Sequence, residues 1–361
     1  MFITVHQSVL RLVYLPHLMK IQRQAPLPVV CYISLILTGD LTFFRQQGGS
    51  FLIVFVQFNP RVEKIVSLSK MRLGGHNQAA ELRCYAEGKG IQAAMAVKQL
   101  GGEPFLMGFN YAINGRVITA ALEQAGILYD LVTVHGELCT TLKIWEEQTG
   151  AETVLQVPEG FVPAEAIRDL LFRILRRADD HTIIVLSGSV PQGVPKNICA
   201  SIIRDLQPCG ARVILDTSEI LLEDGIEAGP WMIKISLEGM ESLFGRTYQR
   251  EIQVVEDARK LAARGIPLVC VSMGALEALL VDRDSIWKSH PIPDLPMKEE
   301  RGIGAAMVAG ICLAAERGSS PQDMLRCGIA AAGAAVSQEQ NQLCSRLDFE
   351  QVLPQVSIQA L

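Results

Sequence analysis

Two glycines stand at the mouth of a long apolar stretch, Arg301-Gly302-Ile303-Gly304-Ala305-Ala306-Met307-Val308-Ala309-Gly310, with no acidic residue between them. Gly302 and Gly304 leave backbone amides bare at a helix N-terminus, where unpaired N–H groups and the positive end of the dipole attract a phosphate or a developing oxyanion. The segment offers an anion site without a general base. A second cluster, Glu87-Gly88-Lys89-Gly90-Ile91-Gln92, combines close backbone approach with a cation. Ser187, Asp216, Lys234 and Ser272 each stand where an apolar run ends, and ligands of open α/β sheets bind at the carboxyl ends of strands. Ser187 or Asp216 alone reads equally well as a turn or a helix cap. With Gly88, Lys89, Gly302 and Gly304 they read as one phosphate-binding cleft.

Positioning these residues takes a sheet. From Phe51 onward, short apolar runs alternate with amphipathic segments, the pattern of a doubly wound, mainly parallel α/β sheet flanked by helices. Strands are predicted at Phe51 to Val56, Pro104 to Gly108, Thr182 to Ser187, Arg212 to Asp216, Trp231 to Ile235, Leu268 to Ser272 and Ala278 to Val281. Such nearly continuous apolar runs suit strands buried on both faces. Helices are predicted at Lys89 to Leu100, Arg116 to Ala125, Ala164 to Arg177, Lys196 to Leu206, Leu237 to Phe244 and Val254 to Arg264. Gly302 to Val336 reads as two Ala-rich helices broken at Gly318-Ser319-Ser320-Pro321, with side chains small enough to pack closely on the sheet. Asn59 to Cys84 and Cys139 to Gln156 interrupt the alternation and read as a separate small sheet.

Composition narrows the function classes. A chain of 361 residues with 49% hydrophobic content can bury a large core. Its net charge of -5, without a basic run, argues against a nucleic-acid surface. The nine cysteines lie singly, with neither zinc-site nor disulfide-framework spacing, which suits a reducing cytoplasm. Met1 to Ser50 mixes Gln, His and Arg among short apolar runs and reads as a poorly ordered extension or as residues from an upstream start. Its longest apolar run, Leu27 to Leu37, is too short to cross a bilayer, so no membrane partner is expected. The domain proper is expected from residue 51 to residue 361.

Gly302 to Gly310 resembles the Gly-Ala-Gly-Asp-Ser-Met-Val-Ala-Gly signature of PfkB-type, ribokinase-like carbohydrate kinases, with Met307-Val308-Ala309-Gly310 fixing the register. Glu87 to Ala94 resembles the Gly-Gly-Lys-Gly-Ile-Asn-Val-Ala loop of the 1-phosphofructokinase and tagatose-6-phosphate kinase branch. Leu186-Ser187-Gly188-Ser189-Val190-Pro191-Gln192-Gly193 is similar to that branch's Ser-Gly-Ser-x-Pro-x-Gly strand end. Asp216-Thr217-Ser218, Lys234 and Ser272-Met273-Gly274-Ala275 follow in the family's order. Six motifs in sequence are a specific signal.

The resemblance implies ATP-dependent phosphotransfer to a hexose phosphate, with Mg2+ accompanying the nucleotide and a β-sheet lid that often doubles as a dimer contact. It implies substrate positions at Glu63, Gly88, Lys89, Gly90, Gln92, Cys139 and Lys143, and nucleotide positions at Asp216, Lys234, Ser236, Ser272 and Gly274. The anion hole falls on Gly302 and Gly304. The departures are as informative. Ala305 occupies the place of the family's catalytic Asp, Glu63 that of a hydroxyl-binding Asp, Cys139 that of a phosphate-binding Arg, and Gln92 that of an Asn. Glu87 and Glu277 replace glycines, and Ser236-Leu237-Glu238-Gly239 stands where the family has a metal-linked Asn-x-x-Glu. Glu299, Glu300, His290 and His135 are the other bases by chemistry, without a motif that places them in the cleft. The expectation is a carbohydrate kinase by descent with little or no turnover, or a pseudokinase that binds nucleotide or sugar phosphate in a regulatory or scaffolding role.

Overall fold

β1 (Leu52–Gln57) shows why the sheet forms: its apolar side chains are almost wholly buried, with Phe55 and Val56 at 0% exposure. A strand this apolar is stable only with layers on both faces, each large side chain contributing roughly 1.5–3 kcal/mol on burial. The computed structural model describes residues 51–158, 160–274, 276–293, 295, 302–337 and 343–361. Residues 1–50, Ala275, Glu299, Glu300 and Arg301 lie outside the described residues.

β1 is flanked in parallel by β4 (Pro104–Ile113) and β8 (Thr182–Ser187). Beyond β4 lies β5 (Leu128–Glu137); beyond β8 follow β9 (Arg212–Asp216), β10 (Met232–Ser236) and β11 (Leu268–Ser272), all parallel. Antiparallel β12 (Ala278–Val281), β13 (Ile286–Ser289) and β14 (Ile358–Ala360) complete a 10-stranded sheet. The second sheet has 4 strands in the order β3 (Glu81–Glu87), β2 (Arg61–Leu68), β6 (Cys139–Glu146), β7 (Ala151–Gln156). It is the small sheet expected from the broken alternation, but β3 runs past Cys84 to Glu87 and so delivers the chain directly into the glycine loop.

Helices α1 (Lys89–Gln99), α2 (Arg116–Ala125), α3 (Ala164–Arg177), α4 (Ile198–Leu206), α5 (Glu219–Glu227), α6 (Leu237–Phe244), α7 (Glu251–Ala263), α8 (Ile303–Glu316), α9 (Pro321–Val336) and α10 (Arg346–Val352) complete the layers. α5 and α10 have no counterpart among the predicted helices. α5 opens at Glu219 in the left-handed region (φ 53) and carries four acidic residues in Glu-Ile-Leu-Leu-Glu-Asp-Gly-Ile-Glu, which blunts its apolar stripe. β5 likewise has no counterpart among the predicted strands, because an edge strand with exposed Thr133, His135 and Glu137 lacks a continuous apolar run. The Ala-rich pair α8 and α9 pack closely on each other: a Cβ on Gly310 would lie 2.2 Å from the Cys327 carbonyl oxygen. Close helix contact, in addition to contact with the sheet, explains the small residues.

β4 approaches β1 most closely at Gly108, the register partner of Gln57. Gly108 has φ 149, and a Cβ there would stand 1.9 Å from the Gln57 carbonyl oxygen. Gly108→Ala therefore pushes the strands apart, at an expected cost of about 2–4 kcal/mol, read as a melting temperature lowered by roughly 4 °C or more. Gly150→Ala is the control, since Gly150 is left-handed (φ 67) with nothing within 4 Å of the added carbon. Equal losses in the two variants would show that the clash is relieved elsewhere.

Candidate active site

The glycine loop is fastened to β1 by one side chain. Gln57 Oε1 accepts a hydrogen bond from Gly90 N at 2.9 Å, and its Nε2 donates to the Asn59 carbonyl at 2.9 Å. Gly88 (φ 151) caps α1 without a side-chain bond, and a Cβ there would fall 2.5 Å from Gln57 Oε1. Glycine is required at that position by close approach as well as by backbone angle. The loop sets Lys89 as the first residue of α1, with its Nζ 3.7 Å from Asp216 Oδ1. Gln92 lies one turn on, its amide bonded to the Gly88 carbonyl at 2.9 Å. Gln57 was missing from the expected set; its signal was a polar residue closing the apolar run Leu52 to Val56.

Asp216 closes β9, and Lys234 reaches it from β10 at 3.9 Å. Both side chains are nearly buried, at 6% and 9% exposure, whereas Lys89 is half exposed at 51%. A Cβ placed on Gly304 would meet Lys234 Nζ at 3.2 Å, so the ammonium lies over the first turn of α8. That turn has no acidic residue and no side-chain cap; Gly302, its N-cap, is left-handed at φ 74. Among the described residues, two ammonium groups and the positive end of a helix thus face a single carboxylate, an arrangement that favours an added anion. Ala305, in that first turn, is 5% exposed and supplies no proton acceptor.

Ser187 ends β8 in register with both Gln57 and Asp216. Its hydroxyl and that of Thr217 are buried without a hydrogen-bond partner among the described residues. Leaving such a group unpaired costs about 1–3 kcal/mol, so these hydroxyls are poised for a ligand at the carboxyl edge. Cys270 of β11, next to Lys234 and Asp216, is pushed up to about 12 by burial, and burial also raises Cys312 in α8. Neither thiol is a nucleophile at neutral pH.

Other expected positions have structural occupations. Glu63 is 5% exposed and forms an ion pair with Lys143 across β2 and β6, beside buried Thr141. Cys139 is 1% exposed, and its Sγ donates to the Val157 carbonyl at 3.1 Å. Ser236 caps α6, accepting from Gly239 N at 3.1 Å, and Ser272 Oγ lies 3.5 Å from the Ile235 carbonyl. Gly274 (φ 108) opens the turn after β11 and has nothing within 4 Å of an added Cβ. Glu238 is exposed, His135 is exposed on edge strand β5, and His290 contacts Gln359 at 3.0 Å across the β13–β14 edge.

The first turn of α8, without an acidic residue or a side-chain cap and with Lys234 over it, has the charge character that suits a phosphate group. Magnesium has no ready protein cage there: among the described residues the one group of three metal-ligating side chains is Asp179, Asp180 and His181, exposed just before β8 at the opposite edge of the sheet. A Mg2+ ion at the cleft would therefore lean on phosphate oxygens and water. Among the described residues, no helix is long and apolar enough to cross a membrane.

The layered sheet has parallels among known proteins. The model of the pfkB family of carbohydrate kinases matches residues 52–347, and the chain belongs to that family. The 1-phosphofructokinase of Vibrio cholerae is 27% identical over 309 residues, covering 86% of this chain and 97% of the relative. That of Xanthomonas campestris is 31% identical over 268 residues, covering 72% and 83%. In fold, phosphofructokinase-2 of Escherichia coli, solved with potassium, superposes with a TM-score of 0.78 at 23% identity, over 84% of this chain and 98% of that one.

The cluster yields a direct expectation. Lys234→Met removes the buried ammonium, leaves Asp216 with only half-exposed Lys89, and lowers stability by about 1–3 kcal/mol. Excess inorganic phosphate should raise the melting temperature of the wild type and leave that of the variant unchanged. Scanning calorimetry with and without phosphate reads both effects; a phosphate response retained by the variant contradicts this account of the helix mouth.

Proposed function

We propose that the cleft binds ATP, accompanied by Mg2+, together with a hexose phosphate of the kind used by 1-phosphofructokinases or tagatose-6-phosphate kinases, and transfers the γ-phosphoryl group slowly, without a general base. The observation that carries this reading is the buried Asp216 between Lys89 and Lys234, set against an α8 first turn that holds Ala305 and no acid. ATP supplies the phosphoryl group. Lys234, Lys89 and the amides after Gly302 balance charge on the moving group, and Gly304 permits that approach. The attacking hydroxyl forms the new P–O bond, the bond to the ADP oxygen breaks, and the hydroxyl proton leaves to solvent or phosphate oxygen. Phosphoryl transfer rests mainly on positioning and electrostatics, and a general base typically adds about 10²- to 10⁴-fold. Its absence slows the reaction without abolishing it. Gln92 and the Glu63–Lys143 pair line the substrate side in this reading, with Ser236, Ser272 and Gly274 shaping the nucleotide side.

A second reading, a pseudokinase that binds nucleotide or sugar phosphate and acts on a partner, is favoured by the engagement of Glu63 with Lys143 and of Cys139 with Val157. Exposed apolar side chains on the lid, including Leu82 at 60%, Val154 at 51% and Leu155 at 51%, support a homodimer through that sheet. Free thiols throughout the described residues suit a cytoplasmic setting.

Thermal unfolding tests the reading. ATP, and separately fructose 1-phosphate, should each raise the melting temperature, by the equivalent of about 2.7 kcal/mol at a hundredfold excess over Kd. A coupled assay on the same samples should show slow ADP release, and light scattering a dimer. No shift with any nucleotide or hexose phosphate removes the reading; shifts without any turnover select the pseudokinase.

A further inference from the structure

Gln57 is a long polar side chain at 2% exposure, and burying such a group costs stability unless both ends of its amide are bonded. Both are. Its Oε1 accepts from Gly90 N and its Nε2 donates to the Asn59 carbonyl, each at 2.9 Å. The amide is therefore held in one orientation, and it fills the space that two missing side chains leave: a Cβ on Gly88 would lie 2.5 Å from Oε1, and one on Gly90 3.1 Å. The glycines on either side of Lys89 thus admit a protein amide, and the loop is wrapped around Gln57.

Lys89 is the residue between those glycines. Its side chain is half exposed, and the rotamer freedom of a lysine opposes any single placement. Yet its Nζ lies 3.7 Å from Asp216 Oδ1, two strands away: Gln57, Ser187 and Asp216 form one register row at the carboxyl ends of β1, β8 and β9. Neighbouring strands stand about 4.8 Å apart, so roughly 10 Å separates β1 from β9. A lysine rooted over β1 must cross β8 to reach the carboxylate, and where its backbone sits decides whether it arrives. We propose that Gln57 is a positioning residue for Lys89: its amide fixes the loop over β1 and so delivers the Lys89 ammonium to Asp216. The amide is needed as such, since a carboxylate would turn an oxygen against the Asn59 carbonyl. The chemical consequence rests on the cleft reading, in which Lys89 balances charge on the moving phosphoryl group; the placement itself does not.

The test is lysine labelling by acetic anhydride without any ligand, read residue by residue by mass spectrometry against exposed Lys196. Gln57→Met, which removes both hydrogen bonds at similar size, and Gln57→Glu, which keeps only the acceptor, should each label Lys89 faster by roughly 5-fold or more. Gly90→Ala, whose Cβ presses on Oε1 from 3.1 Å, is a milder route to the same displacement, should also speed Lys89, and decides the matter if the Gln57 variants do not fold. Asp216→Asn should speed Lys89 in the wild-type background but by no more than about twofold in Gln57→Met, where the contact is already lost. A Lys89 rate equal to wild type in the folded variants overturns the proposal. So does an Asp216→Asn effect of the same size in both backgrounds, since Lys89 would then find Asp216 unaided. No ligand enters the measurement, so a protein that binds neither ATP nor sugar phosphate loses the cleft reading alone, and the Lys89 rates still decide this one.

Discussion

The cleft depends on one carboxylate. Asp216 is buried at the end of β9 and holds Lys234 from β10 and Lys89 from the glycine loop toward the same point. Without it, two cations and a helix N-terminus would converge with no carboxylate among the described residues to balance them. With it, the balance remains incomplete, which favours an added anion. The same geometry explains Gly304, since a side chain there would crowd the Lys234 ammonium.

The scaffold serves that convergence. Gln57 ties the glycine loop to β1, and Gly108 lets β4 lie against the same residue. β3 runs straight into Gly88, so the lid and the loop that carries Lys89 are continuous in the chain. The lid itself is held from within by the Glu63–Lys143 pair, which spans its central parallel strands.

Much of this was legible in the sequence because buried parallel strands leave a direct signature: β1, β8, β9 and β11 are nearly uninterrupted apolar runs that end in polar residues at the cleft. The glycines were legible for a related reason, since backbone approach needs them. The features that the sequence leaves hidden depend on register or orientation. The pairing of Glu63 with Lys143 requires knowing that β2 and β6 are parallel neighbours, and the turn of Cys139 toward Val157 requires side-chain direction. Gln57 looks like an ordinary strand end until its two hydrogen bonds are seen. β5 and α5 were missed because exposure and acidic residues dilute their periodicity.

The proposed slow transfer turns on Ala305, a buried methyl in the first turn of α8, where we propose that a proton acceptor is missing. Phosphoryl transfer from radiolabelled ATP to a hexose phosphate, compared between wild type and Ala305→Asp, addresses this most directly. The account predicts slow transfer by the wild type and a rate raised by roughly 10²-fold or more in the variant, with similar affinity for ATP. An unchanged rate in a folded, ATP-binding variant would contradict it.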